Sequence, residues 1–127
     1  MKSREDIESY LLKTGLPYEQ LGAELWNLKP EGQENLLISI AGPVVVFRMK
    51  VMELPKGKRE PLYEALLGLN TTEMVHGAFG IEGDAVVITD ALQLENLDFN
   101  EFQAVIDDIT MAISKHYPVL SKFRVAA

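Results

Sequence analysis

The first helical pattern lies near the N-terminus, where one face of the chain recurs every three or four positions. Ser3 is a favourable N-cap, and Asp6 three residues later completes an acidic form of the capping box. Gly15 supplies a left-handed stop shortly before a proline. These signals predict a helix over Arg4–Thr14. The residues that share one face of this helix are Ile7, Tyr10, Leu11 and Thr14.

Three extended patterns follow this helix. Residues 20–28, 35–40 and 44–54 alternate apolar and polar positions or are rich in β-branched residues, which predicts three strands. Proline and glycine within residues 29–32 and 41–43 favour tight turns between the strands. Because short connections join antiparallel neighbours, we expect an antiparallel meander.

The second helical pattern begins at a proline. Pro61 suits the first turn of a helix, where a missing N–H leaves no hydrogen bond unmade. Asn70 is able to close the helix, so we expect a short helix over residues 60–69. Its apolar stripe has the i, i+3, i+4, i+7 spacing and consists of Leu62, Ala65, Leu66 and Leu69.

A hairpin and a long helix complete the pattern. Residues 75–81 and 85–89 predict two strands, joined by a tight turn in which Gly83 takes the left-handed conformation. Residues 90–96 are expected to be irregular. The last helix begins at a capping box, has Leu97 placed as a hydrophobic staple, and is expected to end or kink at Pro118. The box is formed by Asp98 and Glu101, and the helix stripe by Phe102, Val105, Ile106, Ile109 and Ile113.

The element order is therefore α-βββ-α-ββ-α, which predicts an α+β fold. An antiparallel sheet of five strands with helices packed on one side would close this order. The chain has 127 residues, which fits a single domain over residues 1–127 with one hydrophobic core.

Charge and composition exclude several partners. The chain carries 19 acidic and 12 basic residues, for a net charge of -7, and a negative surface repels nucleic acid. We expect no membrane partner and no secretory leader, because apolar runs are short and residues 1–15 are charged. A cytoplasmic location is expected. Without cysteine, disulfides and thiolate sites are excluded. Since 47% of the residues are hydrophobic, we expect apolar surface in an interface.

Candidate catalytic chemistry is sparse. The histidines, His76 and His116, lie on different predicted elements, with no serine or acidic partner at a catalytic spacing. Gly77, Gly80 and Gly83 lie in a hairpin, not at the strand-to-helix turn of a nucleotide site. The acidic residues do not follow the order of a calcium loop. We expect no catalytic residue, no metal site and no cofactor.

Trp26, the single tryptophan, allows two interpretations. In an alternating strand it falls on the opposite face from Leu25. It is then either buried beneath a helix or exposed as an aromatic anchor for a partner. The pattern alone leaves both open.

The second half of the chain carries the most specific pattern. It has LLGLN at 66–70, GAFGIEGD at 77–84, VVI at 86–88 and LQLENLD at 92–98, before an amphipathic helix. This succession resembles the Tir-chaperone (CesT) family of type III secretion chaperones and the related YbjN family. The resemblance covers the element order of nearly the whole chain and the residue pattern of 62–113, and LENLD at 94–98 favours the YbjN-like proteins.

The resemblance implies a cytoplasmic, typically dimeric protein that binds a non-globular stretch of another polypeptide and catalyses nothing. The secretion chaperones commonly pair through the second helix, and their partner surface uses the first helix and exposed sheet. The residues carried over to the dimer seam are Leu62, Tyr63, Leu66 and Leu69. The residues carried over to the partner surface are Tyr10, Leu11, Leu21 and Trp26.

A binding role also follows from packing, because two helices compete for one five-stranded sheet and an open edge strand is able to add an extended peptide. Three functions remain open. The first is a polypeptide-binding chaperone or adaptor. The second is a YbjN-like regulatory domain, in sensory transduction or stress regulation, without a secretion client. The third is a small enzyme, which would need a cleft of converging titratable groups.

Overall fold

A computed structural model describes residues 3–74 and 76–124, which form three α-helices, six strands and a short 3₁₀ turn. The helices are α1 (Arg4–Thr14), α2 (Glu60–Thr72) and α3 (Phe99–Leu120). The strands are β1 (Tyr18–Gly22), β2 (Leu25–Leu28), β3 (Leu36–Ala41), β4 (Val44–Glu53), β5 (Ala78–Glu82) and β6 (Ala85–Gln93). In this described part of the chain, no helix is both long and apolar enough to cross a membrane.

The α+β class is confirmed, but the first predicted strand is wrong. Residues 20–28 form a hairpin of two strands, because the chain reverses at Ala23 and Glu24 and Gly22 then pairs with Leu25. The observed order is α-ββββ-α-ββ-α, with six strands. The alternation of apolar residues continues through the turn, so the pattern of a hairpin here resembles that of one strand.

Two other predicted boundaries move because tertiary pairing overrides the local pattern. β6 continues to Gln93, through a segment that was expected to be irregular, because β4 supplies pairing partners as far as Val44. The strand predicted over 75–81 begins at Ala78, and Val75 lies outside the described residues.

Both later helices run past their predicted ends. α2 extends to Thr72, so the prediction that Asn70 closes the helix is wrong. α3 runs through Pro118 to Leu120, so proline does not end it. A proline this near the C-terminus of a helix interrupts only the last turn, where few hydrogen bonds remain to be lost.

The predicted helix starts are confirmed. The main-chain N–H of Ser3 donates to the Asp6 carboxylate over 2.8 Å at the start of α1. At the start of α3, the N–H of Glu101 donates to Oδ1 of Asp98 over 2.7 Å. Gly15 ends α1 with a φ of 75°, in the left-handed region that favours glycine. Local side-chain chemistry therefore sets the beginnings of both helices.

The sheet has the strand order β1-β2-β3-β4-β6-β5, and all neighbours are antiparallel. The hairpin of β5 and β6 joins the sheet through β4, so the edges are β1 and β5. A register shift between Lys50 and Met52 marks a bulge in β4.

The two faces of the sheet differ in what covers them. On the helix side, Trp26, Ile38 and Phe47 stand in one register row and have no exposed surface. The Phe47 ring lies 5.5 Å from the ring of Phe102 on α3. The opposite face carries the next row along the strands, in which Leu37 pairs with Asn27 and with Arg48. This second face is called the open face below.

Candidate polypeptide-binding surfaces

An apolar groove of about 250 Å³ lies between α2 and the edge strand β5. We call it the α2–β5 groove, and its lining is formed by Tyr63, Leu66, Leu67, Asn70, Phe79, Gly80 and Ile81. Two large apolar side chains in this lining face solvent, since Leu67 is 67% exposed and Ile81 is 45% exposed. Exposed aliphatic side chains beside an apolar groove are typical of a surface that binds another protein.

Asn70 holds the two walls of this groove together. Its Nδ2 donates to the carbonyl oxygen of Phe79 over 3.0 Å, and its Oδ1 accepts from the Phe79 N–H over 2.7 Å. These bonds occupy the outward main-chain groups of Phe79, the second residue of β5. That part of the β5 edge is therefore closed to a further strand.

The predicted seam residues divide into two groups. Leu62 has no exposed surface and Leu66 is 4% exposed, so both belong to the core of the monomer. Tyr63 and Leu69 are partly buried and pack against that core. The seam itself stays a prediction. The side chains at this surface that sequence analysis missed are Leu67 and Ile81.

A signal for these two residues was present in the chain. Leu67 lies in the LLGLN run directly beside the apolar stripe of α2, one position off the buried face. Ile81 is two residues after the buried Phe79, on the same side of β5. Both are apolar residues placed just outside the core.

The predicted partner residues do not form one surface. Leu11 and Trp26 have no exposed surface, and Tyr10 is 6% exposed with its hydroxyl donating to the Leu97 carbonyl over 2.8 Å. Trp26 is therefore a core residue, and the interpretation as an exposed anchor is not supported by its burial. Of the four, only Leu21 is available on the surface, at 48% exposed. A role in partner binding stays a prediction for all of them.

The edge strand β1 is the second candidate surface. It stands at the end of the sheet opposite to β5, and four of its five residues are exposed. Within the described residues its only strand partner is β2. Its outer main-chain groups are thus placed to pair with an added strand, although a register shift between Gln20 and Gly22 limits the length of regular pairing.

The third candidate surface is a groove of about 350 Å³ on the open face. We call it the open-face groove, and it is lined by Leu21, Asn27, Glu34, Asn35, Leu37, Arg48, Lys50, Glu82, Ala85 and Val87. Arg48 Nε lies 3.2 Å from Oε2 of Glu82, and Lys50 pairs with Glu53. The two cations in the lining thus already have anionic partners, and Leu37 and Val87 contribute apolar atoms to it.

A small cavity of about 150 Å³ at the end of α2 brings the two histidines together, although they belong to different elements. Nε2 of His76 lies 3.6 Å from Oδ2 of Asp108. Lys115 donates to Oε1 of Glu73 over 2.9 Å, and this hydrogen bond and charge lower the pKa of Glu73. Among residues 3–74 and 76–124, no group of three or more metal-ligating side chains is found. The exposed ion pair between Lys115 and Glu73 joins the end of α2 to α3.

Solved structures share this fold at low sequence identity. A chain of the heterodimeric ExoU–SpcU complex from the type III secretion system of Pseudomonas aeruginosa matches with a TM-score of 0.72 at 16% identity, covering 88% of this chain and 95% of that chain. YbjN from E. coli matches with a TM-score of 0.67 at 14% identity, covering 90% of each chain.

A third structure extends the same likeness. The type III secretion chaperone SycH of Yersinia pestis, in complex with a stable fragment of YscM2, matches with a TM-score of 0.65 at 13% identity and covers 88% of this chain and 97% of that chain. The fold is therefore that of type III secretion chaperones and of YbjN.

Comparison at the level of sequence gives the family. No curated protein matches the chain. The family model CesT_Tir_1 matches residues 1–126, nearly the entire chain, and the predicted resemblance is thereby confirmed. The chain belongs to the CesT_Tir_1 family.

Proposed function

We propose that this protein is a non-enzymatic chaperone or adaptor that acts as a homodimer and binds an extended segment of another polypeptide. The proposal rests on two surfaces, one at each edge of the sheet, that are available to bind another chain. The α2–β5 groove offers exposed apolar side chains, and β1 offers an open strand edge. Membership of the CesT_Tir_1 family supports a binding role for the two surfaces, and we propose that the protein acts in the cytoplasm.

The α2–β5 groove is assigned to the dimer. Its exposed residues are apolar, and the β5 main chain beside it is already occupied by Asn70. A surface of this kind gains free energy by burying side chains and offers few main-chain groups to a strand. In a two-fold dimer, Leu67 of one copy would lie near the same surface of the other copy.

The β1 edge is assigned to the client polypeptide. Hydrogen bonds along a strand edge bind any extended main chain, and alternate side chains then select among sequences. Two of the structures with this fold are complexes of two different polypeptides, the heterodimer ExoU–SpcU and the chaperone SycH with a stable fragment of YscM2. The partners in these complexes belong to the other proteins. They support a polypeptide as the class of ligand proposed for this chain.

A regulatory role of the YbjN kind is the second candidate. It is favoured by the fold match to YbjN, which covers 90% of this chain. The same surfaces would then bind a regulated protein in place of a secretion client. The two roles differ in genomic context, because a secretion chaperone is expected beside secretion genes and a YbjN-like regulator is not.

Selection from a phage-displayed library of random unstructured peptides tests the proposal. We expect enrichment of sequences with alternating apolar residues, and slower hydrogen exchange at the main-chain amides of residues 18–22 when such a peptide is bound. A library of the same size displayed on a folded, disulfide-closed scaffold is the control. Equal recovery from both libraries, or no enrichment from either, would contradict polypeptide binding.

A further inference from the structure

A groove on the helix side of the sheet lies between α3 and the connection from β2 to β3. Its volume is about 590 Å³, within the range of roughly 300–1,000 Å³ that is common for ligand sites. The groove is thus large enough for several side chains of a bound segment. We call it the α3 groove, and its lining includes Leu16, Pro30, Glu31, Ile106, Asp107 and Met111.

Hydrogen bonds from Gln33 join the two walls of this groove. Nε2 of Gln33 donates to the carbonyl oxygen of Thr110 over 3.3 Å and to Oγ of Ser114 over 3.0 Å. The connection between β2 and β3 is therefore fastened to α3, and the groove is present without a partner. A site that is already formed avoids part of the ordering cost of binding.

The charge of the α3 groove is negative. Glu31 contributes a carboxylate from one wall and Asp107 from the other, and both residues are exposed. Neither has an ion-pair partner within residues 3–74 and 76–124, and the hydrogen bond of 2.9 Å that Asp107 accepts comes from the neutral amide of Gln103. Lysine, arginine and histidine are absent from the described lining. An occupant with positive charge therefore complements the groove.

Apolar side chains of α3 lie beside these carboxylates. Met111 is 67% exposed, and Ile106 belongs to the same wall. A methionine side chain is flexible and polarizable, so it adapts to apolar partners of different shape. The lining thus suits an occupant that carries apolar and positively charged side chains close together, as a short polypeptide segment does.

The position of the groove connects it to the proposed client edge. The ladder between β1 and β2 continues to a hydrogen bond of 2.9 Å from the Lys29 N–H to the Pro17 carbonyl. The next residues, Leu16 before β1 and Pro30 after β2, both line the α3 groove. A strand added to the β1 edge would lie two strand spacings, about 10 Å, from β2, and three or four extended residues span this distance. The groove is therefore within reach of residues that flank a bound client strand.

We propose that the α3 groove binds a basic, partly apolar arm of the client polypeptide, next to the segment that pairs with β1. Lysine or arginine side chains of the arm pair with Glu31 and Asp107, and an apolar neighbour packs on Met111. Every strand pair in this sheet is antiparallel, so the client strand runs opposite to β1 and the arm follows it on its C-terminal side. The inference rests on the proposed function, because it names a sequence feature of the polypeptide that binds β1.

Peptides that join a strand segment to an arm test the inference. The segment Thr-Val-Thr-Val-Thr matches the five residues of β1, and the arm Gly-Ser-X-Leu-X follows it, with X as Lys, Gln or Glu. Fluorescence anisotropy with the full chain at low salt should show the Lys peptide binding about tenfold more tightly than the Glu peptide, and high salt should reduce this difference. Equal affinities would overturn the arm site and leave polypeptide binding in place. No binding by any peptide would contradict both proposals.

The order of segment and arm separates docking in the groove from general attraction to a negatively charged protein. A control peptide carries the Lys arm before the strand segment, so its composition and charge are unchanged. The net charge of -7 attracts both peptides, but the arm lies beside the α3 groove only when it follows the segment. We expect the control peptide to bind about as weakly as the Gln peptide. Equal affinity for the two orders would overturn the proposal.

Variants of the protein test the two carboxylates directly. The double variant Glu31→Gln with Asp107→Asn changes exposed positions, so it should fold normally and reduce the preference for the Lys over the Glu peptide to less than about threefold. The matched control is Glu95→Gln with Asp84→Asn, which removes the same charge at exposed positions outside the groove and should keep the preference. A preference that survives in the first double variant, or that falls equally in both, would overturn the proposal.

Discussion

The side chain of Asn70 pairs with the main chain of Phe79 in the way that a neighbouring strand would. Oδ1 accepts from the Phe79 N–H over 2.7 Å, and Nδ2 donates to the Phe79 carbonyl over 3.0 Å. The amide thus occupies the β5 edge and fixes α2 against the strand at the same time. Because α2 and β5 form both walls of the α2–β5 groove, one residue controls the shape of the proposed dimer surface.

Removing this amide should loosen the edge of the sheet. We expect Asn70→Ala to lower the free energy of unfolding by about 1–3 kcal/mol, because two partly buried main-chain groups lose their partners. Urea denaturation measures the loss, and hydrogen exchange should show faster exchange at the Phe79 amide. The matched control is Asn100→Ala, at an exposed position of α3, which should change stability little. Unchanged hydrogen exchange at the Phe79 amide would contradict the assignment of Asn70 as the hydrogen-bond partner of this strand edge.

Two glycines allow a matched test of local packing at the β5–β6 hairpin. Gly77 has a φ of 76°, and a Cβ there would lie 2.9 Å from the carbonyl oxygen of Thr89. Gly83 has a φ of 59° and no atom of the described residues within 4 Å of such a Cβ. Both alanine variants incur the left-handed cost of about 1–2 kcal/mol, and Gly77→Ala also forces a main-chain shift.

Thermal unfolding of the two variants should therefore give a lower Tm for Gly77→Ala than for Gly83→Ala. The difference measures the steric contact with Thr89 alone, since the backbone cost is common to both variants. Equal losses of stability would show that the strand relaxes around residue 77 without resistance.

The parts of the fold that local chemistry decides were predictable from the sequence. Ser3 with Asp6, and Asp98 with Glu101, place capping groups a few bonds from the main chain that they satisfy, so both helix starts are confirmed. The reversal at Ala23 and Glu24 was missed, because the apolar alternation runs through it without interruption. β6 was predicted too short for another reason: its last residues are ordered by pairing with β4, far away in sequence.

The candidate surfaces depended still more on tertiary structure. The stripe of α2 supplied the predicted seam residues, but periodicity names the residues that face the core, and Leu62 and Leu66 lie there. An interface is formed by apolar residues that the core leaves exposed. Only the packed structure shows that Leu67 and Ile81 remain exposed at one groove.

The ion pair of Lys115 with Glu73 gives a prediction in pH. The hydrogen bond and charge of Lys115 hold the pKa of Glu73 below its usual range. A lowered pKa in the folded state adds stability above the ordinary pKa of glutamate, and this is lost as the pH falls through the lowered value. In Lys115→Met we expect the pKa of Glu73 to rise toward its usual range, as measured by carboxyl-carbon NMR titration.

The difference in stability between wild type and Lys115→Met should depend on pH in the direction that the lowered pKa of Glu73 requires. At neutral pH the free energy of unfolding should be larger for wild type than for Lys115→Met, by a small amount because the pair is exposed. This difference should disappear in strong acid and at high salt. The control Lys122→Met removes an equal charge from the exposed C-terminal turn and should leave the titration of Glu73 unchanged. A difference that grows on acidification would contradict this assignment.

Leu67 provides the sharpest test of the proposed dimer. It is 67% exposed in the monomer, so Leu67→Glu should fold normally, since glutamate is also a good helix former. Buried across a dimer seam, the same carboxylate would be an unpaired charge, which costs several kcal/mol. Light scattering should give a mass near twice 14.2 kDa for wild type and near 14.2 kDa for the variant.

Leu12 is the matched control for this test. It is a leucine on α1, outside the α2–β5 groove, with an exposed fraction of 68%. Leu12→Glu makes the same change in charge and in exposed apolar area, so it should remain dimeric if association depends on the groove and not on general surface hydrophobicity. Dissociation of both variants would point to a nonspecific effect of charge. A wild-type protein that stays monomeric across a concentration series would remove the dimer from the proposed function.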